Sequence, residues 1–159
     1  MNRLILYVMI AISFYPLWAT AAVRGKHAMY AGGTIGDLAV GKKGGLDFSG
    51  EVDFVFRPHD EHIPFLRIPF AQITTVEYGQ HAGRRVRVAL LGGGIPALLS
   101  HKRKHFVTIY FPDSQGKEQA AIFELGKKIV REVLTVLRVK TGKEIEFQSE
   151  DAKRNLGHP

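Results

Sequence analysis

FELGKKIVREVLTVLRVKTGK, residues 123–143, is where the spacing of apolar residues changes in this 159-residue chain. Ile129, Val130, Val133, Leu134, Val136 and Leu137 recur every three or four positions, and Lys127, Lys128, Arg131, Glu132 and Arg138 fall between them. That period describes an amphipathic helix of about four turns with one buried stripe. Gly142 stands just past the last apolar position and Lys140 in the final turn, which fits a left-handed glycine stop with a cation beside the last carbonyls. Ile129, Val130, Val133, Thr135 and Val136 are β-branched and mediocre helix formers, so the helix should hold only when docked on other structure. Its stripe is therefore a lid for a core.

Upstream of the helix, residues 30–123 are short apolar or alternating runs punctuated by glycine, proline and small polar clusters, the pattern of strands and turns. Strands are expected around 30–38, 45–47, 52–56, 65–68, 74–78, 86–91, 106–111 and 119–123. Val52, Phe54 and Phe56 alternate with Asp53 and Val55, and Val86, Val88 and Leu90 alternate with Arg85, Arg87 and Ala89, as on a half-buried antiparallel sheet. Pro112, Asp113, Ser114, Gln115 and Gly116 mark a hairpin turn. Residues 144–147 are expected to add a short last strand, and 148–159 to form a polar flexible tail. No repeat of twenty to fifty residues is present. Many short strands followed by one terminal helix make an α+β, mainly β arrangement, in which the helix covers the open end of a curled sheet.

The runs IPFAQITTVEY (68–78), KHFVTIY (104–110), AIFELGK (121–127) and RVKTGK (138–143) resemble bacterial pleckstrin-homology-like domains over residues 33–147. The resemblance implies a bent antiparallel β-sandwich, or partly open barrel, of about seven strands capped by one C-terminal helix. It rests on packing patterns rather than on a catalytic signature.

Met1, Asn2 and Arg3, an uncharged apolar run over 4–18 and the small residues Ala19, Thr20, Ala21 and Ala22 follow the three-part grammar of a secretory signal. Ala19 and Ala21 satisfy the A-x-A cleavage pattern, so residues 1–21 are expected to be a signal peptide and 22–147 the domain. The alternative is a membrane anchor formed by an uncleaved N-terminal helix, since the run through Val23 approaches the length that spans a bilayer. Either way the domain is expected to be exported, to the periplasm or beyond. A chain with 45% hydrophobic and 23% charged residues is ordinary globular material. With no cysteine it has neither a disulfide scaffold nor a thiolate metal site, and it must hold together by packing.

Charge is unevenly spread. Removing Arg3 leaves 21 basic against 15 acidic residues, and the excess of six is carried by Arg84, Arg85, Arg87, Lys102, Arg103 and Lys104, in a window from Glu77 to Asp113 that has no acidic residue between its ends. Inside it lies the uncharged stretch ALLGGGIPALL, residues 89–99. Cations bracketing an apolar loop suit an anionic membrane surface or a protein partner, and the same residues also suit strand ends facing a core with a solvated basic exterior. Nucleic acid is disfavoured, because no aromatic residue is interleaved from Arg84 to His105 to stack on bases. Lys42 and Lys43, framed by Gly41, Gly44 and Gly45, stand where pleckstrin-homology domains carry basic residues for inositol phosphates. The arginine pair of that pattern does not follow, the nearest arginine, Arg57, lying beyond Phe56.

His59, Asp60, Glu61 and His62 place four possible metal ligands in a row on an apparent turn, the basis for an alternative reading as a small metal-dependent hydrolase. They do not form H-E-x-x-H, so a metalloprotease geometry has no footing. Gly32, Gly33, Thr34 and Ile35 are similar to the nucleophile-threonine segment of bacterial asparaginases, although a chain of this length cannot build that fold. No Ser lies in G-x-S-x-G, and no cofactor motif is present. The expectation is a non-enzymatic exported binding module without a cofactor, engaging a protein partner or an anionic envelope surface through Arg84, Arg85, Arg87, Lys102, Arg103 and Lys104, with Lys42 and Lys43.

Overall fold

The structure, a computed structural model, describes residues 25–60, 66–80 and 104–156. These residues form strands β1 (Gly25–Gly33), β2 (Lys43–Asp47), β3 (Asp53–Pro58), β4 (Leu66–Pro69), β5 (Thr75–Gly79), β6 (His105–Pro112), β7 (Glu118–Leu125) and β8 (Ile145–Phe147). A 3-10 turn, Phe70–Gln72, follows β4, and two helices complete the set, α1 (Val130–Thr141) and α2 (Glu150–Leu156). The fold is α+β and mainly β. Its single sheet runs in the order β4-β3-β2-β1-β7-β6-β5-β8. All pairings are antiparallel except β5 with β8.

The sheet folds back on itself around one aromatic core. Two strands separate β3 from β7 in the sheet order, yet the ring of Phe123 on β7 lies 5.7 Å from that of Phe54 and 5.1 Å from that of Phe56, both on β3. Tyr30 on β1 meets the same ring edge-on at 6.0 Å. A flat sheet could not bring these rings together, so burial of the alternating apolar positions bends it. Val130, Val133, Leu134 and Leu137 of α1 are buried in the same cluster as Phe70, Ile73, Val76 and Tyr78. At its far end α1 is tied to the β2–β3 turn: Lys140 Nζ donates to the carbonyl of Gly50 (2.7 Å) and lies over the Phe70 ring. The expected stop is present, with Gly142 left-handed at φ 66° and its N–H donating to the Arg138 carbonyl.

Several expectations are corrected. The first strand, expected over 30–38, is Gly25–Gly33. Gly32 and Gly33 have φ of 136° and 139°, and the β1–β7 register shifts between Tyr30 and Gly32. A Cβ at Gly33 would stand 2.1 Å from the Ala120 carbonyl oxygen, so the glycine pair makes a bulge where the strand ends. Val52, grouped with Phe54 and Phe56, precedes β3 and is 72% exposed. The half-buried sheet is in part a doubly buried one, since every residue from Phe106 through Phe111 is buried. Ala31, Phe106, Tyr110, Ala120 and Ile122 form a second apolar cluster apart from the main core.

The stretch read as a flexible tail, 148–159, contains α2 over Glu150–Leu156. Ser149 Oγ accepts from the Ala152 N–H at 3.1 Å, and Ala152 and Leu156 are buried in the core. The expected count of about seven strands and one helix becomes eight strands and two helices among the described residues. The expected last strand is present as β8, joined to β5 in parallel, with Val76, Glu77 and Tyr78 opposite Ile145, Glu146 and Phe147. The strand expected over 86–91, and the signal or anchor at the N-terminus, lie outside the described residues. Among the described residues no helix is long and apolar enough to cross a membrane.

Candidate functional site

Of the eight cations expected to form a binding surface, Arg84, Arg85, Arg87, Lys102 and Arg103 lie outside the described residues, as does the apolar stretch 89–99. Lys42, Lys43 and Lys104 are described. Lys104 Nζ donates to a carboxylate oxygen of Glu124 at 2.9 Å, and Lys42 stands 3.6 Å from Asp60. Strand register brings these distant parts of the chain together. Met29 on β1 faces Glu124 on β7 from one side and Lys43 on β2 from the other. With about 4.8 Å between strands, Lys43 sits about 10 Å from the residue that holds Lys104. Lys43 and the Glu124-held Lys104 therefore share one rim of the sheet, where Lys43 is exposed, with Lys42 beside Lys43 in sequence and paired to Asp60.

The row of possible metal ligands is divided. Glu61 and His62 are outside the described residues, while the His59 N–H donates to the Lys43 carbonyl (2.9 Å) and Asp60 faces Lys42. Among the described residues no group of three or more His, Asp or Glu side chains could hold a metal ion. Thr34 is occupied structurally: its hydroxyl accepts from the Ala120 N–H at 2.9 Å, and its own N–H donates to the Ala120 carbonyl at 2.9 Å. It continues the β1–β7 ladder past the bulge.

A concave site lies elsewhere, where α1, β8 and α2 meet. Leu134, Ile145, Phe147 and Leu156 supply its apolar surface around a cavity of about 60 Å³. Arg131, Thr135 and Arg138, all on α1, stand along one side, and Glu144 contributes a carboxylate. Residues 131, 135 and 138 are spaced four and three apart, which stacks them on one helix face. Neither arginine makes an ion pair among the described residues. Sequence reasoning placed both outside the apolar stripe of the helix and missed the site, because its other wall comes from the last strand and from α2. The available signal was the four-and-three spacing of Arg131, Thr135 and Arg138 beside the apolar stripe.

A polar chain fastens α2 to the sheet. The amide of Asn155 donates to the Gln80 side-chain oxygen (3.2 Å), and the Gln80 amide donates to the Tyr78 hydroxyl (3.4 Å). The Tyr78 hydroxyl lies 2.7 Å from His105 Nδ1. Burial pushes the Tyr78 phenol up from its ordinary value, against the lowering effect of the Gln80 hydrogen bond and the Arg131 charge. Burial likewise pushes the His105 imidazole down, with the Lys127 charge adding to the effect. Both shifts favour the neutral forms, so the pair is a neutral hydrogen bond whose donor is set by the tautomer of the His105 ring. Beside it, Glu77 accepts from the Gln148 amide and from the Tyr110 hydroxyl (3.1 Å). Tyr30, in the core, has its phenol raised to about 12 by burial.

Compared with protein-family models the chain matches none, and no curated protein matches it.

Proposed function

We propose that this chain is an exported, pleckstrin-homology-like binding module that works by recognition rather than catalysis, and that the lysine rim meets an anionic envelope surface. The observation that carries the reading is the strand register that brings Lys43 and the Glu124-held Lys104 from separate parts of the chain onto one rim, with Lys42 next to Lys43 in sequence. The remaining cations of the window, Arg84, Arg85, Arg87, Lys102 and Arg103, lie outside the described residues and join the proposal on their charge alone. The pleckstrin-homology-like reading is supported by the order β4-β3-β2-β1-β7-β6-β5, two antiparallel meanders joined through β1 and β7, followed by a helix that buries its stripe in the core.

Each exposed lysine at an anionic membrane contributes about 1 kcal/mol, roughly fivefold in binding. Lys42 and Lys104 contribute less, being already paired. Co-sedimentation of the chain with phosphatidylglycerol vesicles and with phosphatidylcholine vesicles, at low and at high salt, tests the reading. The expected result is binding to the anionic vesicles alone, weakened by salt and by Lys43→Glu. Equal sedimentation with both vesicles, or with neither, overturns it. Retention of an acidic protein from an envelope extract by wild type, lost in Lys43→Glu, would assign the rim to that protein instead.

A further inference from the structure

The cavity between α1, β8 and α2 is separate from the lysine rim and has its own chemistry. Its floor is apolar, from Leu134, Ile145, Phe147 and Leu156, and two arginines without ion-pair partners among the described residues overlook it. We propose that it is a recognition site for an acidic peptide segment of the form acidic-x-apolar-x-acidic, bound in extended conformation.

Charge complementarity and spacing select that occupant. Arg131 and Arg138 are seven residues apart on α1, about 10.5 Å along the axis at 1.5 Å per residue. With both side chains running straight out from the helix, that spacing suits two separate anionic groups. In an extended chain, side chains at positions one, three and five point the same way, and the outer two are separated by about 13 Å. Two flexible guanidinium arms close the small difference and meet the carboxylates side-on, in the fork geometry arginine favours. The central apolar side chain then enters the cavity above Leu134 and Phe147. A volume of about 60 Å³, well short of the ~150 Å³ that holds a benzene ring, suits a valine-sized group and rejects an aromatic one. Thr135, between the arginines, offers a hydroxyl to the peptide backbone. A flat lipid surface could satisfy the arginines but would leave the cavity unfilled.

Among the described residues Glu144 is the one carboxylate lining the cavity, and it opposes acidic ligands, which makes it a charge gate on affinity. The test is fluorescence anisotropy of a fluorescein-labelled peptide containing Glu-Ala-Val-Ala-Glu, titrated with the full chain. Control peptides carry Gln for both Glu residues, or Phe for Val. The acidic valine peptide should bind and weaken with salt, and each control should bind at least threefold less tightly. Arg131→Gln with Arg138→Gln should lower affinity about tenfold, since each exposed pair is worth up to about fivefold. Glu144→Gln should raise affinity two- to threefold. Lys43→Glu, on the rim, should leave peptide binding unchanged, so failure here and failure of the vesicle reading are separable. Unchanged thermal unfolding of each variant verifies its fold. Equal binding of the peptide to wild type and the double arginine variant, or no binding at millimolar protein, overturns the proposal. So does loss of phosphatidylglycerol-vesicle binding in the double variant with no effect of the peptide as competitor.

Discussion

Phe123→Ala is the substitution that most directly tests whether one core joins the two halves of the sheet. The ring is fully buried and contacts three others, Tyr30 at 6.0 Å, Phe54 at 5.7 Å and Phe56 at 5.1 Å between centroids. Emptying a buried phenylalanine site costs about 3–5 kcal/mol from lost transfer energy and the remaining cavity. Each ring pair adds about 0.5–1.5 kcal/mol beyond area, which places Phe123 at the upper end. Phe48 is the matched control: it is 1% exposed but among the described residues stacks on one ring, Phe54 at 5.3 Å. Losing one pair rather than three, Phe48→Ala should cost about 2 kcal/mol less than Phe123→Ala. Urea unfolding followed by circular dichroism measures both, with the midpoint moving and the slope unchanged while unfolding stays two-state. A loss below about 2 kcal/mol for Phe123→Ala, or one no greater than for Phe48→Ala, would refute the argument that this ring bridges β3 and β7.

Gly142→Ala places a Cβ in open space at φ 66°, so its penalty is purely conformational, about 1 kcal/mol, read as a drop of a few degrees in thermal unfolding with no change in circular dichroism. Ser149→Ala removes the hydroxyl that caps α2 and should cost about 1 kcal/mol, with faster hydrogen exchange confined to α2 amides. The His105 imidazole titrates below its ordinary 6.5 in the folded chain, so on acidification the unfolded chain takes up the proton first. His105 therefore leaves stability unaffected above pH 6.5 and subtracts from it as pH falls from 6.5 through the lowered folded value. NMR titration of the ring in wild type, with urea midpoints of His105→Gln as the flat comparison over that range, checks the sign. A ring that titrates above 6.5 contradicts it.

The elements legible in the sequence are those whose period is uninterrupted. The α1 stripe from Val130 to Leu137 and its glycine stop follow from spacing alone, because a 3.6-residue period and a left-handed terminus are local properties. The β6–β7 hairpin was legible for the same reason: Asp113 accepts from the N–H groups of Gln115 and Lys117, the turn chemistry its sequence announces. β1 was misplaced because Tyr30, Ala31, Ile35 and Leu38 were read as one strand across Gly32 and Gly33, while its end is fixed by the carbonyl of Ala120, some ninety residues away, crowding Gly33. α2 was missed although Ser149, Glu150 and Asp151 spell a capped helix start. Its seven residues are too few for periodicity to outweigh their polarity, and burial of Ala152 and Leu156 decides the matter.

The arginine site was missed for a different reason, since the spacing of Arg131, Thr135 and Arg138 marks a helix face but not what covers it. Arg131 and Arg138, read along α1 alone, belong to a solvated face, and that reading is locally correct. They become the side of a cavity only because β8 adds to β5 in parallel, which sets Phe147 opposite Tyr78 with their rings 6.0 Å apart. That pairing in turn depends on α1 carrying the chain back across the sheet, since parallel neighbours require a crossover. α2 then closes the far side, fastened through Asn155 and Gln80 to Tyr78. The site is thus a consequence of topology, and the residue that reports on it is Tyr78, whose ring meets Phe147 of β8 and whose hydroxyl is linked through Gln80 to Asn155 of α2. Tyr78→Phe keeps the ring against Phe147 and removes the link to Gln80, so it should loosen α2 and weaken peptide binding while leaving the β5–β8 pairing intact. Hydrogen exchange that rises in α2 but not in β8 would bear this out, and exchange unchanged in both would mean that Ala152 and Leu156 alone hold the wall in place.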